Sequence, residues 1–221
     1  MPNKERVALI AGVENRIGAA VAEKLKGSCW KVIGVDILPK TSLTGKLDEY
    51  VSLDMTEREI FKELVAGLEN TYGAIDMLFC ATGFEAERQC GSFLETSIEQ
   101  WQKCLNGWLR SSINACAAVA PGMAARKEGR IAILSPDYSK AEGENIMAAT
   151  GAGTLHGFAK SFGVEMVKEN VLVNCIWPNT PYDEDAIAAA VHFLAESGNY
   201  VSAQVISLKG REQGGEKNDQ I

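Results

Sequence analysis

The first residues with the types and spacing to do chemistry lie near the N-terminus. The run AGVENRIG at 11–18 carries Gly12 and Gly18 between an apolar segment and a segment of helical periodicity, and Asp36 ends the next apolar run. A glycine turn at a helix N-terminus can hold a pyrophosphate, and a carboxylate after the second strand can accept hydrogen bonds from a ribose. The pattern indicates a dinucleotide site only weakly, because a strand-end Asp is also a common solvated cap.

Candidates for acid–base or nucleophilic chemistry are few in the rest of the chain. Tyr138 and Lys140 are two residues apart before a predicted helix, and we interpret them as surface-loop residues, with relocated catalytic residues as the alternative. His156 and His192 lie mid-helix without a carboxylate or nucleophile at a suggestive spacing, which favours packed or surface side chains. The six cysteines form no CxxC pair, so we predict no metal site and expect reduced thiols.

Composition limits the classes of partner. The 221 residues are 46% hydrophobic and 23% charged, which is ordinary for a globular protein with one large core. A net charge of −7 argues against nucleic acid or an anionic membrane surface as a partner. No apolar run has the length of a signal peptide or a membrane span, so we expect a soluble, cytoplasmic protein.

The elements that must position these residues alternate along the chain. The predicted strands span residues 6–11, 31–35, 75–80, 131–134, 171–177 and 203–208. The predicted helices span residues 17–25, 57–68, 97–126, 146–168 and 183–196, the third with a bend near Pro121. Continuous apolar strands separated by helices predict an α/β fold, a single Rossmann-like doubly wound parallel sheet with helices on both faces. We assign residues 1–210 to this domain and residues 211–221 to a polar tail.

From residue 6 to residue 210 the chain resembles the short-chain dehydrogenase/reductase family. AGVENRIG is similar to the family's TGxxxGIG turn, LDMT at 53–56 to its adenine-contacting segment, and CATG at 80–83 to its NNAG. The resemblance implies an NAD site, since Asp36 would repel a 2′-phosphate. The implied cofactor-binding positions are Gly12, Arg16, Ile17, Gly18, Asp36, Asp54, Met55 and Gly83.

The same resemblance implies that the catalytic residues are missing. The family uses a Tyr to shuttle a proton, a Lys to lower the pKa of that Tyr, and an Asn on the preceding long helix. The resemblance puts Ala148 at the Tyr position, Ala152 at the Lys position and Trp108 at the Asn position. Ser135 in ILSP is the only possible catalytic remnant, and a register shift of one residue would replace it by Pro136.

Two further departures concern the cofactor and the substrate. Arg16 stands at the turn's second glycine, where it would crowd the pyrophosphate and leave a remodelled, empty site, or bind a phosphate as a cation. VNCIWPNTP at 173–181 resembles the family's PG motif, but Asn179 replaces the glycine. The substrate lid that follows in the family is almost absent after Thr180.

The predicted helix at 146–168 is rich in small residues. Ala148, Ala149, Ala152, Gly153 and Gly157 are expected to share one flank, against a second subunit or within the same one. In the family, the helices matching 97–126 and 146–168 pair with another subunit. A flank of small residues would suit such a contact.

These observations favour a non-catalytic subunit paired with an active homologue that holds NAD, while this chain binds NAD weakly or not at all. In outline the chain is similar to the inactive subunit of a heteromeric hydroxyacyl-CoA dehydrogenase of anaerobic aromatic degradation, that of benzylsuccinate β-oxidation. The alternatives are an NAD-dependent or redox-neutral enzyme with non-standard residues and a module that senses a nucleotide.

Overall fold

The computed structural model describes residues 5–83, 94–137, 146–179 and 182–209. Seven strands form one parallel sheet in the order β3-β2-β1-β4-β5-β6-β7. They are β1 (Val7–Ala11), β2 (Lys31–Asp36), β3 (Glu49–Ser52), β4 (Met77–Cys80), β5 (Gly129–Leu134), β6 (Val171–Asn179) and β7 (Val205–Lys209). The predicted fold class is therefore confirmed.

Six α-helices in the described residues connect these strands. They are α1 (Arg16–Lys26), α2 (Arg58–Tyr72), α3 (Ile98–Leu105), α4 (Ser111–Arg126), α5 (Ile146–Met166) and α6 (Glu184–Glu196). A π-helical turn at Asn106–Arg110 joins α3 to α4, and a 3₁₀ turn at Val167–Glu169 follows α5. None of these helices is long and apolar enough to cross a membrane.

Two apolar cores lie on opposite faces of the sheet, because successive strand residues point to opposite sides. Leu9 of β1 packs with residues of α2, α4 and α5, whereas its neighbour Ile10 packs with residues of α1 and α6. The five inner strands of the sheet are thus buried on both faces along most of their length, which explains their continuous apolar sequences. Parallel strands also end at a common edge, where the connecting turns are brought together.

The structure differs from the predicted elements at two places. Strand β3 was not predicted, because its four residues are short of apolar side chains and remain partly exposed. The stretch 97–126 is not one helix bent near Pro121, since α4 runs through Pro121 without interruption. The irregularity is the π turn, in which the Ser111 N–H donates to the carbonyl of Asn106, five residues earlier.

The expectation that α5 has one flank of small residues is wrong. Ala148 and Ala152 are completely buried and face the core of their own subunit. Gly153 and Gly157 face outward, where an added Cβ would meet no atom within 4 Å. A helix turns by about 100° per residue, so spacings of five, as from 148 to 153, separate residues onto different sides.

Candidate functional site

A glycine turn between β1 and α1 opens the site at the carboxyl edge of the sheet. Gly12 has a φ of +82°, and a Cβ there would lie 2.7 Å from the carbonyl oxygen of Ala81. A Cβ on Gly18 would lie 2.4 Å from the carbonyl oxygen of Gly12. Both glycines are therefore required for the close packing of turn, helix and β4, as in a phosphate-binding turn.

The side chain of Asn15 fixes this turn from within. Its Oδ1 accepts the Gly18 N–H at 2.8 Å and caps α1, while its Nδ2 donates to the carbonyls of Gly12 at 2.6 Å and Ala81 at 2.7 Å. Ile17, which precedes Gly18, is completely buried in the core shared by α1 and α6. Only the backbone of Ile17 can therefore contact a ligand. The Asn15 side chain thus holds the turn, the start of α1 and the end of β4 together.

Arg16 is directed away from the core and forms an ion pair with Glu184, the first residue of α6. The Arg16 side chain is 73% exposed, and that of Glu184 is 24% exposed. The guanidinium thus has a carboxylate partner in the chain itself. The steric and the cationic interpretation of Arg16 both remain predictions.

Two carboxylates occupy the end of the site where the family resemblance puts a ribose. Asp36 Oδ2 accepts the Glu14 N–H at 3.0 Å, and the Glu14 carboxylate accepts hydrogen bonds from the hydroxyls of Thr41 and Ser42 at 2.5 and 2.7 Å. Burial tends to raise the pKa of Glu14, but these hydrogen bonds outweigh it and lower that pKa. Burial and the charges of Asp36 and Glu14 raise the pKa of Tyr50 to about 12, as expected for a partly buried phenol near two carboxylates.

The expected adenine-contacting segment lies after β3 and is held by α4. Asp54 Oδ1 accepts hydrogen bonds from the N–H and the hydroxyl of Thr56 at 2.9 and 2.8 Å. The buried Asn114 amide donates to the carbonyls of Met55 and Thr56 at 3.1 and 3.0 Å. Met55 is itself buried, so this segment is a fixed wall of the site.

Trp108 is the residue that the family resemblance puts at the position of the catalytic Asn. Its indole Nε1 donates to the carbonyl of Gly83 at 2.7 Å, and the ring is 1% exposed. A Cβ on Gly83 would lie 2.4 Å from Trp108 Cδ1, and a Cβ on Gly151 would lie 2.4 Å from Trp108 Cε3. The indole therefore packs between the end of β4 and α5, where a smaller polar side chain was expected from the family.

Ala148 and Ala152 lie on the same stretch of α5 as Gly151 and are completely buried. Neither methyl group can donate, accept or tune a proton. The two residues that the family resemblance puts at the Tyr and Lys positions therefore offer no group for the family's proton transfer.

Ser135 and His156 form a contact that sequence reasoning missed. His156 Nε2 lies 3.1 Å from Ser135 Oγ, and Ser135 is completely buried. Burial, followed by the charge of Lys160, lowers the pKa of His156, which favours the neutral imidazole. Burial raises the pKa of Cys175 to about 12, against the opposing effect of its hydrogen bond with Ser135. The prediction that His156 is a packed or surface side chain agrees with its partly buried position, and only the contact with Ser135 was not predicted.

The remaining candidates from the sequence do not join this site. His192 lies on α6, with Nε2 3.9 Å from a Glu196 carboxylate oxygen. Tyr138, Lys140 and Thr180 lie outside the described residues. Four residues separate β6 from α6, in agreement with a much shortened lid. Within the described ranges, no cluster of His, Cys, Asp and Glu has the geometry of a metal site.

Comparisons with known proteins agree with this fold. Residues 6–182 match a family model described as short chain dehydrogenase. The 3-oxoacyl-(acyl-carrier-protein) reductase FabG of Thermotoga maritima is 27% identical over an alignment of 243 positions. This alignment covers 93% of this chain and 96% of the reductase. An acetoacetyl-CoA reductase of an Acinetobacter species is 24% identical, with 94% and 98% of the two chains covered.

Solved structures show the same fold at lower identity. A structure described as ElxO with NADP bound has a TM-score of 0.82 and 18% identity, with 93% of this chain and 98% of that chain covered. The crystal structure of gox2181 has a TM-score of 0.83 and 19% identity, with 94% and 95% covered. The polypeptide path is therefore that of these proteins along nearly its whole length.

Proposed function

The chain belongs to the short-chain dehydrogenase family, and from this premise we propose that it is a non-catalytic subunit assembled with an active homologue. The observation that carries the proposal is the complete burial of Ala148 and Ala152, the two residues that the family resemblance puts at the positions of the proton-transferring Tyr and Lys. A positioned acid–base group typically contributes ~10²–10⁴-fold to the rate, so its loss leaves at most a residual activity.

The packing of Trp108 supports the same proposal. An indole that is hydrogen-bonded to Gly83 and in contact with Gly151 stabilises the folded chain rather than a reacting group. The π turn and α5 thus keep the family's framework with an apolar interior. Such a framework suits a subunit retained for its fold and its surfaces.

The outer faces of α4 and α5 are the proposed contact with the partner, through residues 97–126 and 146–168. The stretch 111–125 carries no charged side chain. On α5, Gly153 and Gly157 leave open space, and Ile146 and Val164 are exposed apolar side chains. A helix of the partner could approach the backbone closely there and cover these apolar side chains.

We propose an acyl thioester, such as a hydroxyacyl-CoA, as the substrate of the complex, with NAD bound in the active partner. The names of two relatives refer to 3-oxoacyl groups on acyl carrier protein and to acetoacetyl-CoA. The resemblance to a hydroxyacyl-CoA dehydrogenase of anaerobic aromatic degradation is of the same substrate class.

Purification of the tagged chain from its native cell tests the proposal. We expect a homologous dehydrogenase that carries the Tyr and the Lys to co-purify, and NAD-dependent turnover of 3-hydroxyacyl-CoA only when both chains are present. Turnover by this chain alone at ordinary enzyme rates, ~1–10³ per second, would contradict the proposal. Recovery of the chain without a homologue, in an assembly of its own copies, would do so as well.

The intact turn around Gly12, Asn15 and Gly18 favours a second candidate, a nucleotide-sensing module. Tight NADH binding by the isolated chain, together with a partner of another family, would favour this role. An enzyme with non-standard residues is the other alternative and would use Ser135, Tyr138 or bound water, and the complete burial of Ser135 argues against the first of these.

A further inference from the structure

An ion pair joins the glycine turn to the segment after β6, between Arg16 and Glu184. We propose that Glu184 is an internal competitor of a nucleotide: its carboxylate holds the Arg16 guanidinium in place of a bound phosphate. The diphosphate group of a nucleotide such as ADP or NADH must then displace this carboxylate before Arg16 can contact it. This inference concerns the nucleotide affinity of the chain and does not depend on the proposed partner.

The position of the pair follows from the packing of two helices. α1 and α6 lie on the same face of the sheet and share one core, to which Ile17 and Ile187 contribute. Arg16 and Glu184 are the first residues of these helices, so both lie at the carboxyl edge of the sheet. Ligands of open α/β sheets bind at that edge, between the turns that follow the strands.

The electrostatic field beside Arg16 favours a negatively charged group, whether that group is a carboxylate or a phosphate. The N-terminus of α1 has a positive partial charge, and Arg16 adds a full one. Glu184 supplies the negative charge within the chain, and Asp183 and Asp185 adjoin it in sequence. A diphosphate that enters this region must therefore compete with a carboxylate that is covalently part of the chain and always present.

The exposure of the pair limits the size of the effect. Arg16 is 73% exposed, so water and salt screen its attraction to Glu184. We therefore expect the carboxylate to weaken diphosphate binding roughly three- to tenfold, and less at high salt. An effect of this size adjusts affinity without closing the site permanently.

The test is isothermal titration calorimetry of the full-length chain with NADH, ADP and adenosine. Glu184→Gln removes the competing charge with little change in shape, and Asp185→Asn is the matched control because it removes the same charge one residue away. We expect Glu184→Gln to tighten binding of NADH and ADP roughly three- to tenfold over wild type. Adenosine has no phosphate, so its affinity should not change, and Asp185→Asn should bind all three ligands like wild type.

The double variant Arg16→Gln/Glu184→Gln tests the role of the guanidinium. We expect it to lose the gain seen in Glu184→Gln, because the freed Arg16 is the proposed phosphate ligand. Equal gains in Asp185→Asn, an equal gain for adenosine, or a gain that survives removal of Arg16 would overturn the proposal. Absence of measurable ADP and NADH binding by a folded Glu184→Gln chain would overturn it too.

Discussion

The indole Nε1 of Trp108 donates a 2.7 Å hydrogen bond to the carbonyl oxygen of Gly83, and so links the π turn to the loop that follows β4. Trp108→Phe keeps most of the ring but leaves that carbonyl without its donor. We expect a loss of about 1–3 kcal/mol in the free energy of unfolding. Trp108→Ala, which also leaves a cavity, should cost about 3–5 kcal/mol. Urea unfolding measures both, and a Phe variant as stable as wild type would show that the bond contributes nothing.

Gly151 and Gly153 provide a matched pair on α5. A Cβ at Gly151 would lie 2.4 Å from Trp108 Cε3, whereas a Cβ at Gly153 meets nothing within 4 Å. Gly151→Ala should lower the free energy of unfolding by about 1–3 kcal/mol through overpacking. Gly153→Ala should raise it by up to about 1 kcal/mol, because Ala favours the helix. Equal urea midpoints for the two variants would contradict this packing of the indole.

Gly157→Leu tests the outer face of α5. Since no atom lies within 4 Å of the added Cβ, the fold of the chain should be unchanged by far-UV circular dichroism. The affinity between subunits, measured by analytical ultracentrifugation, should fall at least about tenfold. The reason is that the added leucine side chain would push the partner's helix away from α5. Ala152→Leu is not a test of this surface, because Ala152 is completely buried in its own subunit. Assembly of Gly157→Leu at the concentrations of wild type would remove this face from the interface.

The lowered pKa of His156 leads us to expect that the stability of the chain depends on pH. Its pKa is lowered by burial and by Lys160, so the unfolded chain binds a proton more readily than the folded one. The stabilising contribution is complete above about pH 6.5 and is lost as pH falls from there through the lower folded pKa. His156→Gln should flatten the decline in unfolding free energy between about pH 7 and pH 5. His192→Gln, which leaves the Ser135 contact intact, is the control, and a slope unchanged in His156→Gln would refute the assignment.

The alternation of elements was predictable because strands buried on both faces have continuous apolar sequences, as in RVALIA and KVIGV. The glycine turn was also predictable, because glycine is the residue that allows two backbone segments to approach closely. The close packing of Gly12 and Gly18 against Ala81 and the turn itself explains why both positions are glycine, and their part in cofactor binding stays a prediction.

Contacts between distant residues could not be predicted in this way. Ser135 and His156 are 21 residues apart, and their meeting depends on how α5 is rotated over β5. The same rotation places Ala152 inward and Gly153 outward, which a list of small residues does not specify. The carboxylate of Glu14 and its bonds to Thr41 and Ser42 were missed as well, because the chain between β2 and β3 has no periodic signal.

The amide of Asn15 has a consequence for the order of folding. It donates to the carbonyl of Gly12, three residues earlier, and to that of Ala81, 66 residues later. The second bond requires β4 to have paired with β1, a contact of long sequence separation that forms slowly. The glycine turn therefore reaches its final shape only after the central strands have docked. It is also expected to lose that shape first whenever β4 detaches.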